Sequence, residues 1–414
     1  FDKNFGTNGF VFSGNSITSP LVYKNNVWVV TTNRPILIQA FDLNSGANKN
    51  TISLNTLDLN GSISWGGNAL DPSNGLLFIT TGNPKPALYG GTRKGDNFGS
   101  NSIVAINLNS KKIEWVFQET KHDLWDYDIG SPPMLTTLKI KNKKYSVVVA
   151  PTKIGNTLIL DRISGKPIFD INYRKVEASN VLGETTSKYQ IDSKLPERFI
   201  KLDYHPSDYI NTNIKYDEEI LNILNKSIYG FFKPPQIGKK LIIYGLHGGA
   251  SWPGASIDKV NDIMYVPVNQ VPFVILVEGK TEDLVSDYAS NEFKFDDVKK
   301  MYIDNCSNCH GVKSNGKFSK KGEKLIFHYP SLTGLSVFKK NIYNNKNLEE
   351  IYDLHNFKLS REKFKKIINF LKLRDNFLHE NNKIKIYGNW YQLLDKKDMP
   401  LTNLDWGYIV SLNL

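Results

Sequence analysis

The sequence predicts an all-β propeller, only part of which lies in this chain, interrupted by a small all-α unit. Three observations carry this expectation. Several segments repeat one strand, turn, strand pattern; the texture turns helical near residue 290; and strand-like sequence resumes near residue 388. Self-similar strand units suggest blades, and the return of strands makes the helical stretch an insertion, not a tail.

The repeated unit is an apolar run, a polar turn containing Asn, Asp, Ser or Gly, and a second short run. It occurs in LIQAFDLNSGANKN (37–50), SIVAINLNSKKIEWVFQ (102–118), TLILDRISGKPIFDI (157–171) and YIVSLNL (408–414). NGLLFITTGN (74–83) and NDIMYVPVNQ (261–270) are further strands bounded by Gly, Asn or Pro. Periodicity alone accommodates a β-sandwich equally well, and long loops must explain the uneven spacing of the units.

The helical stretch has two anchors. FKFDDVKKMYID (293–304) and SREKFKKIINFLKL (360–373) carry apolar residues at helical spacing, with Phe364, Ile367, Ile368 and Leu371 on one side of the second. Ser360 can cap that helix, and Glu362 suits the positive end of its dipole. The expected organisation is therefore propeller blades over 1–285, a helical domain over 290–382 inserted between blades, and the propeller again over 383–414.

Composition excludes some functions. No stretch approaches the ~20 apolar residues of a membrane span. The formal charge of +11 comes from scattered lysines, without the Arg-rich run or aromatic-basic platform of a nucleic-acid surface. The chain starts at Phe1 with no leader-like segment and stops on a strand without a turn. It reads as a piece of a longer chain, so a leader or membrane anchor would have to lie in a missing segment.

Both cysteines and one histidine fall in MYIDNCSNCHG (301–311), as Cys306, Cys309 and His310. This C-x-x-C-H pattern is the attachment motif of c-type haem: one short loop reaches two edges of the porphyrin with thiols and places an imidazole under the iron. A redox dithiol would open a helix in a βαβ unit, and a structural zinc site would need two more close Cys or His. Neither context is present.

With its helix before the motif, HYPSLTG (328–334) and a closing helix, the unit resembles a cytochrome c of the kind fused to dehydrogenases. The resemblance implies that the Pro330 carbonyl orients His310, the proximal ligand. Where such domains carry Met-Pro, this chain reads DLHNFKLS (353–360). His355 is the first candidate for the distal ligand; Met399, His328, His379 or an open position are the alternatives.

Four strand-flanking segments each combine a Gly-rich turn with a reactive or stacking group: SWGGNALDPSNGLLFITTGNPKP (64–86), FQETKHDLWDYDIGSPPML (117–135), VVAPTKIGNTLILDRISGKP (148–167) and GLHGGASWPGASID (245–258). Such turns collect where strand ends converge on a ligand. In order and spacing they resemble the quinoprotein dehydrogenases that use pyrroloquinoline quinone (PQQ), closest to the glucose or sugar dehydrogenase branch, whose propeller has eight blades.

The resemblance implies roles for individual residues. Asp126, first acid of the W-D-x-D segment, would be the base that takes the substrate hydroxyl proton as hydride leaves for the quinone. Lys153 would contact the quinone oxygens and Trp65 would stack on the cofactor plane. Ser251, Trp252, Trp406 and Gly407 would line its pocket. Asn83 would ligate the calcium ion through its amide oxygen, with Asn33 as a second candidate. The carboxylate metal ligand and vicinal cysteines of the alcohol-dehydrogenase branches are absent from this sequence.

The function so implied is a periplasmic quinohaemoprotein dehydrogenase acting on a small sugar, polyol or alcohol. Its electrons would leave through haem c to a downstream cytochrome or quinone. The alternatives are a propeller with a haem domain that only binds or relays electrons, its catalytic pocket degenerate, and a propeller that assists outer-membrane assembly, which would have no use for C-x-x-C-H.

Overall fold

The computed structural model describes residues 2–209, 218–250, 252–281, 296–321, 324–339, 345–355, 359–380, 383–395 and 397–414. Strands dominate its first half. β1 (Leu21–Tyr23), β2 (Asn26–Val30), β3 (Leu37–Asp42) and β4 (Asn48–Ser53) form one antiparallel four-stranded sheet in sequential order. β5 (Asn68–Asp71), β6 (Leu76–Thr80), β7 (Ser102–Asn107) and β8 (Lys112–Gln118) form a second.

The same polar turn recurs at equivalent places because one side chain closes it. Asp42 accepts from the backbone N–H groups of Asn44 and Ser45, at 3.1 and 2.9 Å. Asn107 does the same for Asn109 and Ser110, at 2.9 and 3.0 Å, and Asp161 for Ile163 and Ser164, at 3.2 and 2.8 Å. An Asx side chain that satisfies the next two donors fixes a tight turn without a partner strand. Apolar faces of the two sheets, among them Ile38, Ile52, Leu77 and Val104, meet in one buried cluster.

A third sheet holds β9 (Met134–Ile140), β10 (Lys143–Pro151) and β11 (Thr157–Asp161), ordered β11-β10-β9. The run after the 161 turn was expected to pair as a second strand. It makes only an isolated bridge between Leu160 and Pro167, because proline has no N–H to extend a ladder. A short hairpin, β12 (Tyr173–Lys175) with β13 (Tyr189–Ile191), and helix α1 (Glu218–Lys226) follow.

β14 (Lys240–Ile243), β15 (Ser256–Asp258), β16 (Ile263–Asn269) and β17 (Phe273–Lys280) precede the helices. These are α2 (Asp296–Asn305), α3 (Ser307–His310), α4 (Leu335–Phe338), α5 (Asn345–Leu354) and α6 (Arg361–Glu380). β20 (Lys385–Gln392) and β21 (Gly407–Asn413) come after them, and no sheet closes on itself among the described residues.

Two expectations about the helical stretch need correction. It is not all helix: β18 (Lys317–Lys321) and β19 (Lys324–Tyr329) form a hairpin between α3 and α4, where the run KLIFHY favours a strand. It also does not fall between separate sheets. β17 pairs antiparallel with β20 from Phe273–Gln392 to Lys280–Lys385, and β16 pairs with β21 in the neighbouring sheet. The helices hang from two strands of one sheet.

Those helices share a core with the strands, in which Tyr302, Leu335, Phe364, Ile367 and Leu371 are contiguous with Leu241, Ile275 and Val277. Polar contacts fasten the joint. The Ser331 N–H donates to Glu278 Oε1 at 2.6 Å, its hydroxyl to the Gly279 carbonyl at 2.6 Å, and the Thr281 N–H to Asn315 Oδ1 at 3.0 Å. Ser360 caps α6 through the Lys363 N–H at 3.4 Å. No helix among the described residues is long and apolar enough to cross a membrane.

Candidate active site

The loop after β8 carries the W-D-x-D segment, and Asp123 shapes it. Its carboxylate accepts from the backbone N–H of Trp125 at 2.8 Å and of Tyr127 at 2.9 Å, and from the Asn101 amide at 2.9 Å. Asp126, between those two donors, adopts a left-handed backbone with φ of 63°. Such a conformation is uncommon outside glycine and persists where surrounding contacts impose it. The result presents the Asp126 carboxylate while its neighbours are pinned.

Lys153, beyond β10, reaches this carboxylate from the next sheet. Its ammonium lies 3.1 Å from Asp126 Oδ2 and 2.5 Å from Asp128 Oδ1, and its side chain is only 4% exposed. Asp128 in turn accepts from the Trp65 indole N–H at 2.7 Å, and the Lys153 ammonium stands 5.5 Å from the Trp65 ring centre. Glycine permits the close approach: a Cβ on Gly82 would lie 2.9 Å from the Trp65 indole nitrogen.

Burial sets the charges here. Desolvation pushes the Asp126 carboxyl up to about 6, against the pull of Lys153 and with help from Asp128 and Asp123. Burial opposes the Lys153 ammonium, yet Asp126 and Asp128 outweigh it and hold it charged. Behind the pair, Glu119 is fully buried and pushed up to about 7 by desolvation, although the Asn156 amide and the Thr152 hydroxyl donate to it.

The structure brings Asp126, Lys153, Trp65 and Asn83 together. The Asn83 amide donates to Asp126 Oδ1, and its oxygen accepts from Lys85 at 2.8 Å. Trp252 joins them, edge-on to Trp65 with ring centres 6.5 Å apart, and it is 67% exposed. Gly407 pairs with Asn269, which also bridges to Gly249, and a Cβ on Gly249 would strike the Lys153 carbonyl. Trp406 adjoins this ladder, its carbonyl accepting from the Gln270 N–H at 2.9 Å. Asn33 instead packs beside Gly14, and among the described residues no hydrogen bond joins it to Asn83 or Asp126. Ser251 lies outside the described residues.

Sequence reasoning missed four residues of this cluster. Asp123 and Asp128 supply the restraint and the second anion. His247 has its ring centre 6.2 Å from Trp252 and 4.5 Å from Trp390, a residue of β20. Burial, then the Lys153 charge, holds the His247 imidazole below its usual range. The W-D-x-D spacing could have flagged Asp128; nothing local marks Trp390.

In the helical stretch, Cys306 and Cys309 are free, the first buried, and burial pushes the Cys306 thiol up to about 11. His310 Nδ1 faces the Pro330 carbonyl at 2.7 Å, the contact expected of Pro330. His355 follows α5 directly and is exposed; its ring centre lies 6.2 Å from that of His310 and its Nδ1 faces the Ile351 carbonyl at 2.7 Å. His379 sits edge-on to Phe338, with centres 5.6 Å apart. Met399 lies in a turn whose N–H donates to Asp395 at 2.9 Å. The His328 side chain lies outside the described ones.

The donor chemistry fits the groups that the sequence implies. The Asp126 carboxylate and the Asn83 amide oxygen are hard-oxygen donors in one cluster, the amide oxygen being turned to Lys85, and an indole face stands beside a buried cation. No group of three His, Cys, Asp or Glu could hold a metal among the described residues, so a cation here would draw on amide and cofactor oxygens as well.

A family model described as "PQQ: Glucose/ethanol/alcohol dehydrogenase, beta-propeller domain" matches residues 38–321. The quinoprotein glucose dehydrogenase of Escherichia coli is 28% identical over 254 residues, covering 58% of this chain and 32% of its own length. The glycerol dehydrogenase large subunit of Gluconobacter thailandicus is 30% identical over 221 residues, 50% of this chain and 29% of its own. The quinohemoprotein alcohol dehydrogenase of Comamonas testosteroni is 33% identical over 115 residues, 27% of this chain and 16% of its own. The alignments thus span about a third or less of these relatives.

Proposed function

The chain belongs to the PQQ glucose/ethanol/alcohol dehydrogenase β-propeller family, and on that premise we propose that it is the catalytic part of a periplasmic quinohaemoprotein dehydrogenase. Its substrates are small sugars, polyols or alcohols. The observation that carries this reading is the buried Asp126–Lys153 pair beside Trp65, with the Asp126 carboxyl at about 6. A base poised near neutral pH is mostly ionised at work and still holds a proton well enough to take one from a hydroxyl.

The residues divide the work. Bound PQQ would supply the hydride acceptor. Trp65 would stack on the flat ring and Trp252, edge-on to Trp65, would line its pocket, with Gly407 and Trp406 and with Ser251 beside Trp252 in sequence. Lys153 would contact the quinone oxygens and stabilise negative charge on them. Asn83 would ligate calcium through its amide oxygen once Lys85 releases it, and Asn33 is retained only as a more distant contributor. Asp126 takes the hydroxyl proton, while Asp123 fixes its backbone and Asp128 keeps Trp65 and Lys153 in place.

Cys306 and Cys309 would form the thioethers of haem c and His310 the proximal bond, with Pro330 fixing the imidazole. Haem held by these residues would supply a one-electron exit for two-electron chemistry, toward a cytochrome or quinone. What supports this part is the C-x-x-C-H motif, the 2.7 Å contact of His310 with Pro330, and the quinohemoprotein alcohol dehydrogenase among the relatives. The test is dye reduction by the full-length protein reconstituted with PQQ and calcium, over a panel of sugars, polyols and alcohols. Substrate-dependent reduction is expected; its absence throughout the panel would reject a catalytic role.

A further inference from the structure

We propose that the iron of the attached haem is held between two imidazoles, His310 on one side and His355 on the other. This rests on reading Cys306, Cys309 and His310 as a haem-attachment motif.

The proposal starts from the spacing of the rings. Their centres are 6.2 Å apart and their planes 39° from parallel. A metal–nitrogen bond of about 2 Å and about 1 Å from nitrogen to ring centre, taken on both sides, gives about 6 Å. Rings also pack at such separations without a metal, as His247 and Trp252 do at 6.2 Å, so the proposal stands on this spacing together with the nitrogen that each histidine turns to its backbone.

The hydrogen bonds agree with it. Nδ1 of His310 faces the Pro330 carbonyl and Nδ1 of His355 faces the Ile351 carbonyl, each at 2.7 Å. A carbonyl oxygen only accepts, so Nδ1 is the protonated nitrogen of both rings. The neutral tautomer then carries its lone pair on Nε2, the atom that must meet a metal, and the backbone contact orients the ring. His355 has an arrangement usual for a ligand although it stands on an exposed turn.

Two rival ligands are placed elsewhere. His379 is turned edge-on to Phe338 in the last turn of α6. Met399 belongs to the turn after β20, where its backbone closes on Asp395 through both N–H and carbonyl and Leu394 bridges to Pro400. Two nitrogen ligands leave out the thioether that raises the potential of His/Met haems. The iron would exchange one electron with both bonds kept, at a lower potential than a His/Met site.

Spectroscopy on the full chain with haem attached decides it. The oxidised wild-type protein should give a low-spin electron paramagnetic resonance spectrum of the bis-imidazole type, with no thioether band in the visible. His355→Ala should lose that signal for a high-spin one, bind carbon monoxide when reduced, and regain low spin with added imidazole. His355→Met should raise the potential, and His379→Ala and Met399→Leu should change nothing. A thioether band in the wild type, or a low-spin spectrum unchanged in His355→Ala, would overturn the axial pair alone. If the denatured wild-type chain retains no haem, the attachment reading fails and the axial pair with it.

Discussion

Asp126, Lys153, Trp65 and Asn83 come from four strand ends spread over about ninety residues of chain, and they hold one another through buried charge. Cys306, Cys309 and His310 come from a single turn, and the imidazole is steered by a backbone carbonyl. In the first region each group is part of its neighbours' environment. In the second, the backbone does the positioning, as the Pro330 carbonyl does for the His310 ring. Substitutions should therefore spread in the first and stay local in the second.

Breaking the first region should give the largest effects. Asp126→Asn should lower substrate-dependent dye reduction by about 10²–10⁴-fold, the range for a lost general base, with cofactor absorbance retained. A loss under about tenfold would remove Asp126 from that role. Lys153→Ala strands Asp126 and Asp128 without their cation, and should destabilise the chain by about 3–5 kcal/mol in urea unfolding.

Glu119→Gln tests the same region from behind. The folded chain holds this carboxyl at about 7 against an ordinary 4.5, so it binds the proton more tightly than the unfolded chain does. Its contribution to stability is full below about 4.5 and lost as pH rises through about 7. The variant should gain up to about 3 kcal/mol relative to wild type between pH 5 and pH 8; equal pH dependence of the two would place the charge elsewhere. Because burial raises the Asp126 carboxyl above the usual carboxylate range, kcat/KM should rise with pH as that group ionises and then level off.

The second region sharpens the contrast from the small end. Cys309→Ser should abolish one thioether, visible by mass spectrometry, yet shift unfolding of the haem-free chain by under about 1 kcal/mol. A change as large as that of Lys153→Ala would mean that the two regions are not built differently.

The same division explains what could be read in advance. The turns at Asp42, Asn107 and Asp161 were legible because one side chain and the next two N–H groups make them. The C-x-x-C-H pattern is visible in the sequence because Cys306, Cys309 and His310 come from one turn. The second run after Asp161 failed at Pro167, where local pattern and ladder requirement disagree. The β18–β19 hairpin and α5 lie between clearer helical patterns. In the propeller site, Asp126, Lys153, Trp65 and Asn83 were found through resemblance to a family. Asp123, Asp128, His247 and Trp390 were missed, since only the fold makes them neighbours.

Lys280 and Lys385 face each other at the end of the β17–β20 ladder, so the chain departs toward the helices and comes back through points about 5 Å apart. Ends so close could be joined by a short turn, but the helices also cover Ile275 and Val277 of the same strand. The strand pair thus stays in register on both sides of a long excursion, and the Ser331 and Asn315 contacts to Glu278, Gly279 and Thr281 are what tie that excursion down.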